Sequence, residues 1–401
     1  MLADLRQLAQ FGALDPGVER PAFSDQDVRA REWLARRMEE AGLDVQIDGV
    51  GNVYGRARRA ERAILIGSHS DTVPRGGWLD GAYGVIAGLE IARACAEART
   101  RERIGVDVIS FSDEEGTFLA TLGSSAFCGE LGASDCEGAC NGDGLSLNEA
   151  LGRAGYAGRP LARLDPARHI AFLEAHIEQG PRLEAAATAI GVVTGIAGVR
   201  RRDVAFEGQA DHAGTTPMDL RRDAGAALIR YAVAATELLR SESVPTTVWN
   251  IGRLSLHPGA SNVVPGRAEM LIEFRDVDDA VMSSLEAALD RLAERLSDET
   301  RVEVHSRTTD SRSGSMTDER LASLIESVAE NLDVSSMRML SGAGHDARVL
   351  GAHVPVGMLF VPSVGGRSHD VAEHTSDEDL VTGALVLAGA ASRLLDGELF
   401  T

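Results

Sequence analysis

The segment AILIGSHSDTVPRGGWLDGAYG, residues 63–84, decides how the chain is read. It opens on a short apolar run, 63–67, and a helical pattern extends from about 84 to 98. A second apolar run at 104–111 completes a strand-helix-strand order, which calls for a parallel sheet buried on both faces. Polar residues crowd the carboxyl end of each run: His69, Asp71 and Asp80 after the first, and Asp113, Glu114 and Glu115 of ISFSDEEG (109–116) after the second. Open α/β sheets gather their ligands at that edge, so the two clusters are expected to share one site.

These residue types suit hydrolytic metal chemistry. A catalytic divalent ion takes imidazole and carboxylate ligands from rigid elements and needs a further carboxylate to handle the proton of water. The expectation is that His69 and Glu115 are ligands and that Glu114 is the general base. Asp80 is folded back by a proline- and glycine-rich turn, and a carboxylate, unlike an imidazole, can bridge two cations. Asp71 lies two residues past His69, on the same face of an extended segment, where it can hold the second ring nitrogen. A binuclear site needs more ligands, and two histidines follow further strand-like runs: His176 in FLEAHIEQGPRLE (172–184) and His369 in FVPSVGGRSHDVAEHTS (360–376). His374 competes with His369. We favour His369 because the Gly365-Gly366 turn lets its backbone approach the site, whereas His374 leads into a final helix with Ser376 as N-cap.

Length and composition bound the rest. A chain of 401 residues implies two domains or one elaborated domain. Its 40 basic and 61 acidic residues give a net charge of −21, which argues against nucleic acid or an anionic membrane surface as partner. No stretch approaches the roughly twenty apolar residues of a membrane span, and the start lacks a secretory pattern, so a cytoplasmic protein is expected. Cys95, Cys128, Cys136 and Cys140 read as free thiols, too few and too clustered to staple the fold.

Along the chain, 24–42 reads as a capped amphipathic helix and 43–54 as strands. From about 199 the candidates run strand 199–207, helix 219–241, strands 246–254 and 268–275, helix 278–296 and strand 301–307, which is the split β-α-β unit. The polar stretch 308–315 closes it. A helix at 317–332, a strand at 354–361 and a helix at 376–395 then return to the first sheet. The expected division is therefore a catalytic domain of 1–197 and 311–401 with 198–310 inserted into it.

The segments GSHSDTVPRGGWLDGAYGV (67–85), SDEEG (112–116), EAHIEQGPRLE (174–184), GQADHAGTTPMDLRRDA (208–224), SNVVPG (261–266), the strand ending in Arg275, SGAGHDA (341–347) and FVPSVGGRSHDVAEHTS (360–376) resemble the amidase, hydantoinase/carbamoylase family of the di-zinc aminoacylase and carboxypeptidase superfamily. HIEQGP together with HAGTTPM sets this branch apart from the superfamily's peptidases. The resemblance implies an α/β/α mixed-sheet di-metal hydrolase domain with an inserted ferredoxin-like lid and dimerisation domain, and a homodimer. It implies two divalent ions per subunit, zinc first and manganese or cobalt as alternatives. One ion would be held by His69 and Glu115 or His369, the other by His176, with Asp80 bridging and Glu114 as base. It further implies that His212 reaches across the dimer to an oxyanion, that Asn262 and Arg275 hold a substrate carboxylate, and that Gln179 and the Gly342-Ala343-Gly344 turn, Gly344 included, line the pocket.

The residues themselves support part of this. His212 is presented on a loop beside glycine, and Arg275 ends a strand, where a guanidinium can grip a carboxylate bidentately or pair with Asp276 or Asp278. Asn262 can equally be a turn residue. The chain departs from the commoner family pattern after Glu115-Gly116, with Thr117-Phe118-Leu119 in place of Ser-Arg-Phe. A basic group is missing there, which Arg221-Arg222 could offset. The implied reaction is hydrolysis of the carbamoyl C–N bond of an N-carbamoyl-L-amino acid or related ureido acid. Allantoate or a β-ureido acid is the alternative substrate, and a metal-free binding protein the alternative of another class.

Overall fold

The computed structural model describes residues 1–98 and 104–398. By chain contacts it forms two compact units, one of Met1–Thr194 with the chain from Met316 onward, the other Gly195–Ser315.

The larger unit is built on a nine-stranded mixed sheet. Along it run Leu43–Ile47, Val53–Ala57, Ile104–Phe111, Arg62–His69, His169–Ile177, Val356–Val361, Ile190–Ile196 and Ser315–Met316, with Ser336–Ser341 also pairing Ile190–Ile196. The central four, from Ile104–Phe111 to Val356–Val361, are mutually parallel. Their side chains are buried nearly throughout because helices cover both faces. On one face Ile64, Ile66, Val106, Val108, Leu173 and Ala175 pack with the helices Ala82–Ala98, Glu319–Asn331 and Asp377–Leu395. On the other, Phe111 packs at a tilt to Phe172 and edge-on to Phe127 of the helix Leu122–Cys128. The carboxyl ends of the parallel strands therefore open on one edge, where His69, the acids after Phe111, His176 and the loop after Val361 emerge.

Local signals behave as their chemistry predicts. Ser24 caps the helix Asp25–Glu40 through Asp27 N, and Ser376 caps Asp377–Leu395 through Asp379 N. The strands Ile190–Ile196 and Ser336–Ser341 have no equivalent among the elements expected from sequence.

The smaller unit is a four-stranded antiparallel sheet ordered Glu303–Arg312, Val199–Glu207, Arg267–Arg275, Val248–His257. Two helices, Ala224–Glu242 and Asp279–Thr300, pack against it, with Phe206, Tyr231, Met270, Phe274, Leu285 and Leu289 in the core. This is the expected split β-α-β order. The stretch 308–315 does not close the unit as a loop, since the last strand continues to Arg312. Its alternating polar residues face out from an edge strand, and Asp310 pairs with Arg201 across the ladder at 3.1 Å.

A candidate metal centre at the strand ends

His69 is the last residue of its strand and is 2% exposed. Its Nδ1 lies 3.0 Å from the carbonyl oxygen of Asp71. The sequence reading gave this contact to the Asp71 carboxylate, which instead stands 4.0 Å away. That carboxylate faces Arg31 Nη2 at 3.4 Å and accepts from the Glu115 amide at 3.4 Å. The Asp71 carboxylate is engaged by Arg31 and the Glu115 amide, and its backbone carbonyl meets the ring instead. His176 repeats the arrangement, with Nδ1 2.8 Å from the carbonyl of Ile177. Carbonyls only accept, so each ring carries a proton on Nδ1 and turns a bare Nε2 inward when neutral.

Both Nε2 atoms point at one oxygen. Asp80 Oδ1 lies 3.5 Å from His69 Nε2 and 3.0 Å from His176 Nε2, and the Gly81 amide also donates to His176 Nε2 at 3.1 Å. Gly81 has φ +63°, and a Cβ there would sit 2.4 Å from the His69 ring, so only glycine allows this approach. The other oxygen of Asp80 faces a second group: Oδ2 is 3.3 Å from His369 Nε2, which is itself 3.4 Å from Glu115 Oε2. Two sets of potential ligand atoms thus meet on the two oxygens of Asp80: His69, Asp80 and His176, and Asp80, Glu115 and His369. This differs from the grouping the resemblance implied, which put His69 with Glu115 or His369 and left His176 apart. Adjacent strand ends bring His69 and His176 to the same side of Asp80. His374 is exposed and belongs to neither set.

Glu114 stands beside the first set, 3.8 Å from His69 Nε2. Burial raises its carboxyl to about 7, with His69 opposing and the Asp80, Asp71 and Glu174 charges adding to the rise. Burial, then Asp80 and Glu114, hold Glu115 well above the ordinary carboxylate range. Asp80 itself is pulled well below that range because contacts from His176, His369 and His69 outweigh its burial. Asp113, Gln179 and His369 adopt left-handed φ of +53°, +57° and +54°, a backbone cost that clusters where a site must be shaped.

Cations fit this arrangement. Inward imidazole lone pairs converge with a carboxylate, and Glu115 Oε1 is buried without a hydrogen-bond partner. Glu114 and Glu115 are buried and crowded by like charge, and mixed imidazole and carboxylate donors accept several divalent ions. The structure also places residues here that the sequence reading passed over. His345 packs edge-on to His176 at 4.6 Å between ring centroids and meets Ser341 Oγ at 2.9 Å. Glu174 is fully buried and accepts from Ser68 Oγ at 2.6 Å and the Ala347 amide at 3.0 Å, and it forms a third possible ligand set with His176 and His345. The GHDA run was one signal for His345, and the two-residue alternation of Glu174 with His176 along a strand was the signal for Glu174.

The remaining expected residues divide between the units. Gln179 lies at the candidate centre, its Nε2 donating to Asp80 Oδ2 at 3.0 Å and Ser368 Oγ at 3.1 Å. Gly344 sits in an exposed turn before His345, with open space where a Cβ would go. In the smaller unit, His212 is exposed on a two-residue strand paired with Val263–Val264. Its Nδ1 accepts from the amides of Gly214 and Thr215 at 3.1 and 3.2 Å, so Nε2 carries the proton and faces outward as a donor. The Asn262 carbonyl accepts from Ala213 beside it, at 3.0 Å. Arg275 is half-buried, and its Nε donates to Glu273 at 2.7 Å, an acid on its own strand. Arg221 holds the carbonyls of Ala213 and Thr216 and Arg222 that of Arg301, so both brace the smaller unit's loops. After Glu115, the amides of Phe118 and Leu119 are tied to Asp113 Oδ2 at 3.0 and 2.8 Å, and Phe118 packs on Phe23.

The model of Peptidase family M20/M25/M40 matches residues 65–393. The N-carbamoyl-L-amino acid amidohydrolase of Geobacillus stearothermophilus is 36% identical over 404 residues, covering 98% of each chain. The allantoate amidohydrolase of Escherichia coli is 35% identical, covering 95% of this chain and 94% of its own. The crystal structure of an amidase of the hydantoinase/carbamoylase family from Burkholderia phymatum superposes with a TM-score of 0.90 at 45% identity, over 99% of this chain and 97% of that one. The chain therefore belongs to the M20/M25/M40 peptidase family, as an amidohydrolase of the hydantoinase/carbamoylase type.

Proposed function

We propose that the chain hydrolyses the carbamoyl C–N bond of an N-carbamoyl-L-amino acid, releasing the amino acid, ammonia and carbon dioxide. The observation that carries this reading is the meeting of two ligand sets on the two oxygens of Asp80, with Glu114 alongside, in a chain similar along its whole length to an enzyme named for that substrate. His69 and His176 would hold one divalent ion and Glu115 and His369 the other, with Asp80 shared. Ions bound there supply Lewis acidity, which makes a water acidic enough to lose its proton near neutral pH. Glu114 takes that proton and returns it to the departing nitrogen. His212, through its outward Nε2–H, would reach across the dimer to steady the negative charge on the carbonyl oxygen, a contribution of about 3 kcal/mol for one well-placed donor. Arg275 and Asn262 bind the substrate carboxylate, and Gln179 and Gly344 border the reacting group.

We also propose that the protein works as a homodimer joined through the smaller unit. Ile229 and Val233 on its helix and Leu254 and Leu256 on its edge strand are exposed, an apolar surface expected to be covered in solution. Zinc is the proposed native metal and the cytoplasm the proposed compartment; among the described residues no helix is long and apolar enough to cross a membrane.

Allantoate hydrolysis is the second reading, favoured by a relative of nearly equal identity named for it. A panel of N-carbamoyl-amino acids, allantoate and N-carbamoyl-β-alanine, assayed with Zn²⁺, Mn²⁺ or Co²⁺ restored to chelated protein, separates the two. Turnover of the first class alone supports the leading proposal, and turnover of allantoate alone replaces it. Inactivity on the whole panel, with fewer than two metals bound per subunit, would favour a binding protein.

A further inference from the structure

Glu373 was not among the residues picked out from sequence, yet it occupies the junction of the candidate centre. Its side chain is almost wholly buried, and Oε1 accepts two backbone amides, Leu79 at 3.0 Å and Asp80 at 3.1 Å. Oε2 accepts from Ser368 Oγ at 3.1 Å, the residue before His369. Ser368 Oγ is also 3.1 Å from Asp80 Oδ2, and Gln179 Nε2 spans both. One carboxylate, 293 residues away in sequence, therefore pins the backbone of Asp80 to the loop that carries His369. The cradle is shaped for it: a Cβ on Gly77 would lie 2.0 Å from the Glu373 carboxyl group, so the chain leaves that position bare.

We infer that Glu373 is a positioning residue that sets Asp80 and His369 in register and thereby tightens cation binding by the Asp80, Glu115 and His369 set. Its oxygens bond to backbone amides and a hydroxyl and not to an imidazole nitrogen. It acts by fixing the Asp80 backbone and, through Ser368, the oxygen that faces His369, in the way outer hydrogen bonds orient metal ligands elsewhere. The inference rests on the metal reading proposed above.

Titration of metal-free protein with Co²⁺, followed by visible absorption and calorimetry, tests it without relying on turnover. Wild type should bind two equivalents; failure to bind any would sink the metal reading itself and not this inference alone. Glu373→Ala should bind one equivalent as wild type does and the other about 10- to 100-fold more weakly, with an altered visible spectrum. Gly77→Ala, which displaces the carboxylate without removing it, should reproduce that loss. Glu373→Gln keeps an acceptor for the two amides and should lose less. Both equivalents retained within twofold in all three variants, or both weakened equally, overturns the inference. Should Glu373→Ala fail to fold, Glu373→Gln and Ser368→Ala decide on the same criterion.

Discussion

Two buried polar clusters share the strands of the larger unit and have opposite characters. Towards the amino end of His169–Ile177, Asp107 is held by Arg168 at 2.8 Å through both oxygens, by Tyr54 at 2.6 Å, by His169 at 3.3 Å and by the Ala57 amide at 2.8 Å. Burial pushes its carboxyl up, but these contacts, His169, Arg168 and Tyr54 foremost, outweigh burial and bring it to about 2. At the carboxyl end, Glu114, Glu115 and Glu174 are all shifted upward by burial, with like charges adding in the first two and His176 opposing in the third. The first cluster contains its own cation. The second has acids and imidazoles arranged as though the cation comes from outside. That contrast separates a structural polar network from a site built to bind, even though both are buried and both are rich in Asp and His.

The sharpest way to exploit the contrast is at Glu114. Glu114→Gln should cost roughly 10²- to 10⁴-fold in kcat while metal content stays at the wild-type value, because the amide keeps the shape and loses the base. Steady-state kinetics beside metal analysis checks this; turnover within threefold of wild type removes Glu114 from its role.

Metal removal comes next. Chelation should destabilise the larger unit by about 3–4 kcal/mol relative to protein in metal at 100 to 1,000 times its Kd, read as a lower urea midpoint that recovers on adding metal back. An unchanged midpoint would mean that the acids around Asp80 need no added cation and would erase the distinction between the clusters.

Asp107→Asn should then cost about 3 kcal/mol of stability by stranding the Arg168 charge. Its metal stoichiometry and kcat should stay as in wild type. A loss of metal in this variant would show that the two ends of the strands are not independent.

The smallest effect concerns pH. Because the Asp107 carboxyl lies lower in the folded chain than the ordinary 3.8, its stabilisation is complete above about pH 4 and is lost as pH falls through about 2. The gap in unfolding free energy between wild type and Asp107→Asn, read from urea titrations, should accordingly shrink by roughly 2 kcal/mol between pH 5 and pH 2. A gap that stays constant would mean Asp107 is not held as an ion.

Much of this was legible in the residues. Apolar runs before His69 and Asp113 announce parallel strands, and parallel strands deliver their ends to one edge whatever the intervening chain does. Hence His69, Glu114, Glu115, His176 and His369 could be nominated together before any coordinates. The alternation that marks Val199–Glu207 and Arg267–Arg275 likewise announced the smaller sheet. Glu373 was not legible, because one glutamate in the polar run SHDVAEHTS carries no local mark of being buried. The Asp71 contact differs from the expectation for a related reason: the carbonyl and carboxylate of one residue are equivalent in sequence, and only the folded chain gives the carboxylate to Arg31 and the Glu115 amide and the carbonyl to His69.

The sequence by itself determined the kind of chemistry, since imidazole, paired carboxylates and strand-end placement are local properties of the chain. Tertiary structure alone decided the grouping: that Asp80 turns one oxygen to His69 and His176 and the other to His369, and that Glu373 locks this arrangement. Which oxygen faces which ring depends on side-chain directions set by strand neighbours and loops hundreds of residues apart, and no local pattern encodes them.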